Sequence, residues 1–492
     1  MLDQWLFLAP MAAYVIGRYA LRITRSVALE FGFVDKPDRR RKLHEIPVPL
    51  GGGAAVFLSA WTAWCIAAYG LGLHRLSEGD AAFLGGLALA STSTLVLGVV
   101  DDRWGLRGVP KLAGQLVAAL VLVESGLRID AIGAFGLEAP LGSSAGICTV
   151  VWIVLLTNAY NLIDGMDGFC GGVGLIVAAA VGVLSLASGR SGDALFALAL
   201  LGALASFLRD NLPPARIYLG DAGSMTLGVM LAALSVRSMS GHGAAVCLPA
   251  LVSLHLLPLC DVAAALARRW FTGRSLFTPD RGHLHHRLQA RSGRSFAALA
   301  VGLSLASVGV CSATMDGLGR IGGWASLLST SAVVGLLLSF NIFGRAEMRL
   351  AASRLRGMQA LLPMPGAWRR DVVRYECHLL GARDWASVWD VLVGEAESAG
   401  ACRIELAIDI PSAGETYHGL WALPTSPEQM SWSVAHALQV GGAPAGLLRV
   451  AGAVDSSRGP YLDKVGDLVR TLQGHLEGEG LGRPLALAPM SA

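Results

Sequence analysis

The sequence predicts an all-α polytopic membrane protein of about 11 transmembrane helices, followed by a small C-terminal soluble α+β domain. Three observations carry that reading. Of 492 residues, 53% are hydrophobic and only 15% charged, with a mean hydropathy of +0.54, whereas soluble domains carry about 25% charged residues. Long apolar runs recur as far as residue 343. Beyond 345-RAEMRLAASRLR-356 no run of spanning length appears.

A spanning helix needs about 20 mostly apolar residues. Candidates lie at 5–25, 50–71, 81–100, 110–126, 146–163, 170–188, 194–209, 221–238, 243–267, 296–314 and 322–343. The chain enters the first run without a small-residue cleavage site, which predicts an uncleaved span. Lys and Arg are retained on the cytoplasmic side and so orient the bundle. One set of loops holds 35-DKPDRRRK-42, Arg103, Arg107, Lys111, Arg209, Arg216 and the run from Arg268 to Arg294. The opposite set holds only Arg75, Arg128, Arg190, Arg237 and Arg320. An odd number of spans then places the N-terminus in the periplasm and the C-terminal domain in the cytoplasm.

The expected limits are 1–345 for the membrane domain, 346–370 for a linker, 371–480 for the soluble domain and 481–492 for a disordered tail. The soluble part reads as a helix at 383–399, strands at 402–410, 416–423, 431–438 and 445–453, and a helix at 461–477. In the last helix Leu462, Val465, Leu468, Val469 and Leu472 recur at helical spacing. The order is that of a small GAF-like or PAS-like sandwich. Eight isolated cysteines without a CxxC pair predict reduced, space-filling thiols.

Five polar constellations gather on the expected cytoplasmic face. Asp101 and Asp102 end the apolar run 95-LVLGVV-100. Adjacent helical side chains point about 100° apart, so the pair suits two roles rather than one shared ion; a hydrated helix end is the plain alternative. In 158-NAYNLIDGMDG-168, Asn158, Asn161 and Asp164 form a helical stripe rising about 9 Å, with glycines around Asp164 and Asp167. That stripe offers oxygen ligands for a metal-diphosphate. Interhelical hydrogen bonding would account for one or two asparagines but not for two carboxylates flanked by glycines. In 216-RIYLGDAGSMTLG-228, Asp221 lies between small residues at a helix start, fit either for a phosphate site or for a simple N-cap. In 274-RSLFTPDRGHLHHRL-288, His283, His285 and His286 stand with Arg281 and Arg287. Zinc would want wider spacing or a Cys partner, so an anion-contacting loop is expected. Lys36, Lys42 and His44 in 35-DKPDRRRKLHEIPVPLGGG-53, together with Lys111, add phosphate attraction to a positive-inside signal.

Oxygen ligands beside phosphate-binding cations call for Mg²⁺ or Mn²⁺. They point to phosphoryl transfer between a nucleoside diphosphate compound and a membrane phosphate. A transporter would place its carboxylates near the bilayer midplane on several spans. A signalling receptor would leave the five motifs unexplained, and no kinase or nucleic-acid-binding pattern is present.

The motifs 35-DKPDRRRKLH-44 with 47-PVPLGGG-53, 98-GVVDDRWGL-106, 158-NAYNLIDGMDG-168, 218-YLGDAGS-224 and 279-PDRGHLHHRL-288 occur in order over residues 30–345. In them the chain resembles the polyprenyl-phosphate N-acetylhexosamine-1-phosphate transferases. The H-x-H-H pattern is similar to the WecA-like branch more than to the MraY-like branch, the phospho-MurNAc-pentapeptide transferases. The resemblance implies transfer of a sugar 1-phosphate, with GlcNAc the leading sugar and GalNAc or FucNAc the alternatives. The donor would be a UDP-N-acetylhexosamine, the acceptor undecaprenyl phosphate, and UMP the second product. The setting would be the bacterial inner membrane and the pathway cell-envelope polysaccharide or O-antigen synthesis. It further implies Mg²⁺ on Asp164 and Asp221 with Asn158 or Asn161 assisting, and Asp101 or Asp102 near the lipid phosphate or acting as base. Lys111, Arg281 and the histidines would neutralise phosphates, and Asp167 would hold the nucleotide end. A homodimer and a cytoplasmic partner for the C-terminal domain are both compatible with this reading.

Overall fold

A computed structural model describes residues 2–35, 47–71, 77–271, 283–284, 287–288, 295–319, 322–340, 373–380, 385–398, 400–410, 415–423, 432–440 and 443–452, apart from 241–244, with short helical stretches between 466 and 476. The chain divides into two units. The first comprises Met1–Ala265 with His283–Ile342, and the second Leu266–Gly282 with Phe343–Ala492.

In the first unit the apolar runs form helices α1 (Leu2–Glu30), α2 (Gly52–Gly70), α3 (Glu78–Trp104), α4 (Gly108–Glu124), α5 (Ala145–Ile163), α6 (Phe169–Ala187), α7 (Ser191–Asn211), α8 (Gly220–Met239), α9 (Leu248–Leu254) and α10 (Leu256–Phe271). Two more, α11 (Ser295–Gly319) and α12 (Trp324–Ser339), follow. Among the described residues eight helices are long and apolar enough to span, or nine if the pair α9–α10, bent by 88° at His255, is one broken span. The expected count of eleven also included α4 and α12, which at 17 and 16 residues are shorter than a spanning helix of ordinary length.

Helix α8 is the axis of the bundle. Its apolar stretch is 89% buried, against 22% for peripheral α1, and α2, α3, α5 and α6 pack around it. Small residues let these backbones touch, as at helix contacts within membranes. A Cβ on Gly98 of α3 would fall inside the contact radius of Ala222 Cα, and one on Gly53 of α2 inside that of Gly223 Cα. Gly85, on the same α3, has open space where a Cβ would be. Gly98→Ala is therefore expected to cost about 1–3 kcal/mol through overpacking, whereas Gly85→Ala holds or raises stability through helix propensity. Thermal unfolding of both variants in detergent checks this; equal midpoints would refute the close-packed α3–α8 contact.

Two short strands, β1 (Val34–Asp35) and β2 (Val48–Pro49), pair antiparallel. The chain after β2 is tied to the approach to α8. Tyr218 N donates to Pro49 O (2.9 Å), Gly52 N to Tyr218 O (3.0 Å) and Gly53 N to Leu219 O (3.1 Å). At the other end of the bundle the hairpin β3 (Ala131–Ala134) and β4 (Leu137–Pro140) is extended by β5 (Val246–Cys247), which lies parallel to β3.

The second unit contains a five-stranded antiparallel sheet in the order β6-β8-β7-β10-β9. Its strands are β6 (Val373–Leu380), β7 (Ala401–Ile410), β8 (Glu415–Ala422), β9 (Trp432–Val440) and β10 (Ala443–Gly452), with helix α13 (Trp385–Ser398) between β6 and β7. Alternation along β7 turns Ile404, Leu406, Ile408 and Ile410 into a core with Trp385 and Trp389 of α13. Leu472 and Leu476 from the last helical stretch join the same core. Strand β6 is absent from the sequence reading, although 373-VRYECHLL-380 alternates apolar and polar residues.

Candidate active site

Four helix ends and one turn of the first unit converge. The C-terminal turn of α3 brings Asp101 and Asp102, and the start of α4 brings Lys111. The last turn of α5 brings Asn161, and the start of α8 brings Asp221 and Ser224.

Lys111 is the centre of the cluster. Its Nζ lies 2.7 Å from Asp101 Oδ2 and 2.7 Å from Asp221 Oδ2, and it donates to Asn161 Oδ1 at 3.1 Å. Asn161 Nδ2 donates in turn to Asp221 Oδ1 (2.8 Å) and Ser224 Oγ (3.0 Å). Asp101 is the buried partner of Lys111, and its other oxygen accepts from Leu106 N at 2.7 Å. That bond shapes the short link between α3 and α4, where α3 stops at left-handed Gly105 (φ 65°).

Asp102 has different partners from Asp101. Its Oδ1 accepts from Asp221 N (2.8 Å) and its Oδ2 from Ala222 N (3.1 Å). It thus caps the N-terminus of α8 from a neighbouring helix, where a carboxylate meets unpaired N–H groups and the positive end of the helix dipole. Gly220 makes this possible on two counts. Its φ of 75° is in the left-handed region, and a Cβ there would sit 2.7 Å from Asp102 Oδ2.

The stripe expected from 158, 161 and 164 is divided. Asn158 is turned to Gln115 of α4, donating from Nδ2 to Oε1 at 2.7 Å and accepting from Nε2 at 3.3 Å, and it donates also to Val154 O. The structure brings Asn161, not Asn158, to Asp221. One turn on, Asp164 follows the last helical residue of α5. Asp167 lies in the turn before α6 and accepts from Ala215 N at 2.9 Å, which ties the α5–α6 turn to the loop entering α8. Gly168 N donates to Asn211 Oδ1, and Asn211 Nδ2 donates to Ile217 O, both at 2.9 Å, strengthening the same tie.

Among the described residues the Asp164 carboxylate has no hydrogen-bond donor. Burial, and then the negative charges of Asp221, Asp102 and Asp167, push its carboxyl well above the usual carboxylate range. Burial together with the charges of Asp167, Asp35 and Asp164 pushes the Tyr218 phenol up to about 12. The mouth of the site therefore has an excess of negative oxygen ligands that a cation would neutralise. Asp164, Asp221 and the Asn161 amide are hard oxygen donors suited to Mg²⁺. Among the described residues no three His, Cys, Asp or Glu side chains form a ready-made metal cage, and Mg²⁺ bound through one or two carboxylates plus substrate phosphates needs none.

His283 is buried, with Nδ1 3.0 Å from Asp261 Oδ2 of α10. Lys36, His44, Arg281, His285 and His286 lie outside the described residues. Gln115, Ser224 and Asp261 are polar partners that the sequence reading missed. Their partners lie on other segments of the chain, Asn158 for Gln115, Asn161 for Ser224 and His283 for Asp261, so only the packing reveals what they meet.

A bundle of apolar helices of spanning length defines a multi-pass membrane protein, and a partly buried carboxylate–lysine–amide cluster lies where its helices end. The profile of glycosyl transferase family 4 matches residues 84–239, a span containing Asp101, Asp102, Lys111, Asn161, Asp164, Asp167 and Asp221. The chain is 36% identical over 308 residues to the decaprenyl-phosphate N-acetylglucosaminephosphotransferase of Mycobacterium tuberculosis, covering 58% of this chain and 75% of that one. It is 29% identical over 333 residues to the undecaprenyl-phosphate alpha-N-acetylglucosaminyl 1-phosphate transferase of Yersinia pestis, covering 66% and 86%. To the Escherichia coli enzyme of the same name it is 29% identical over 302 residues, covering 59% and 79%. The chain belongs to this family, the WecA-like polyprenyl-phosphate N-acetylhexosamine-1-phosphate transferases.

Proposed function

We propose that the protein transfers N-acetylglucosamine 1-phosphate from UDP-GlcNAc to undecaprenyl phosphate at the cytoplasmic face of the bacterial inner membrane. An oxygen of the lipid phosphate attacks the phosphorus that carries the sugar. The bond from that phosphorus to the bridging oxygen breaks, and UMP leaves with the bridging oxygen. The observation that carries this reading is the cluster of Lys111 with Asp101, Asp221 and Asn161 at the helix ends. The relatives' names support the sugar and the lipid class.

A phosphate monoester is already ionised at neutral pH, so little is left for a general base. Catalysis of this type rests on positioning and on neutralising charge in the transition state. Lys111 would neutralise phosphate oxygens, with Asp101 fixing its ammonium. Asp102 fixes the first turn of α8, and so the direction of Asp221. Asp167 fixes the turn that carries Asp164. Asp164 and Asp221, with Asn161 assisting, would hold Mg²⁺, which supplies charge neutralisation on the donor diphosphate.

Purified protein with undecaprenyl phosphate, Mg²⁺ and a panel of UDP-sugars is expected to release UMP, fastest with UDP-GlcNAc. No UMP with any sugar rejects the transferase reading; a preference for another N-acetylated sugar corrects only the donor.

A further inference from the structure

The carboxylate of Asp261 is wholly buried in α10, six residues past the bend at His255. Both its oxygens are used, and both bonds reach the same short stretch of chain. Oδ1 accepts from Leu284 N at 2.7 Å, and Oδ2 lies 3.0 Å from His283 Nδ1. Capping the Leu284 N–H calls only for an acceptor, which a neutral side chain would supply without burying a charge. What the carboxylate adds is its second oxygen on the imidazole. An ionised carboxylate accepts and does not donate, so such a carboxylate at this 3.0 Å contact would hold a proton on His283 Nδ1 and set the ring plane and tautomer.

We infer that Asp261 is a positioning residue for the transfer reaction, acting through His283. It fixes the tautomer of that ring and the backbone at Leu284, where the histidine motif expected to contact phosphate begins. The inference rests on the transferase reading. Asp261→Asn separates positioning from folding. The amide oxygen still accepts from Leu284 N, while its N–H group faces Nδ1 and forces the proton to Nε2.

UMP release by the full chain is expected to fall about 10–100-fold in D261N, as for loss of a carboxylate that orients a functional histidine. In an H283A background the same change has no further effect. Wild-type turnover in D261N, or losses that multiply in the double variant, overturns the inference. A second readout does not involve turnover. ¹⁵N spectra of histidine-labelled protein, with His283 assigned by its disappearance in H283A, are expected to show Nδ1 protonated in wild type and Nε2 protonated in D261N. An Nε2–H tautomer in wild type overturns the inference even where D261N does not fold. Absence of UMP release by wild type, with the expected tautomer present, rejects the transferase reading and leaves the Asp261–His283 relation standing.

Discussion

Asp164→Asn is expected to abolish turnover and at the same time raise the unfolding temperature of the ligand-free protein. The two effects have one cause. Among the described residues the Asp164 carboxylate has no hydrogen-bond donor, and burial and three neighbouring carboxylates act against its charge. Removing that charge relieves repulsion in the folded state, while in the unfolded chain it changes little. Turnover is expected to fall about 10³-fold, because an electrostatic contact made to the transition state is lost. Functional sites often carry such a burden, and relieving it costs activity. The pH dependence has a definite sign. A carboxyl whose folded pKa is raised contributes stability below its unfolded value, near 3.9, and loses it as pH rises through the folded value. With EDTA present, the gap between D164N and wild type should therefore open as pH rises from the ordinary carboxylate range and close below it. Adding Mg²⁺ and a UDP-sugar should narrow the gap by stabilising wild type alone. Near-normal UMP release from D164N, or a lowered unfolding temperature, would sink this account of Asp164.

The contrast between Asn158 and Asn161 shows how far the sequence could be read. Hydropathy alone locates the eight helices whose apolar runs are of spanning length. It does not show the 88° bend at His255, since α9 and α10 together pass as one apolar span. The positive-inside asymmetry collects Asp101, Asp164 and Asp221 on one face without any knowledge of packing. Which amide reaches Asp221 is another matter. Asn158 and Asn161 are three residues apart on α5, nearly one helical turn, and either could face α8. The choice is made by Gln115, one turn after Lys111 on α4, which claims Asn158. The twin carboxylates Asp101 and Asp102 differ for the same reason. Their divergence follows from helix geometry, but their partners, Lys111 and the N-terminus of α8, follow from how α3 crosses α8 at Gly98.

Lys111→Met tests the centre of the cluster from the opposite direction. Here stability and turnover should fall together. Lys111 is the cation between Asp101, whose side chain is 7% exposed, and Asp221, at 38%. Losing it leaves two carboxylates aimed at one point, and the burden falls mainly on Asp101. Breaking a buried ion pair from one side costs about 3–5 kcal/mol; the lower end applies because Asp221 is partly solvated. Turnover should drop about 10²–10³-fold, as for a lost phosphate-neutralising group. Lys111→Arg should recover much of the stability but little of the rate. A planar fork cannot reproduce one ammonium that meets Asp101, Asp221 and Asn161 together. Adding Asp101→Asn to Lys111→Met removes the stranded charge as well as the cation. That double variant should regain stability and still release almost no UMP, which separates holding the helices together from the chemistry. Wild-type unfolding temperature in Lys111→Met, or full turnover in Lys111→Arg, would show that Lys111 is not the cation on which this site is organised.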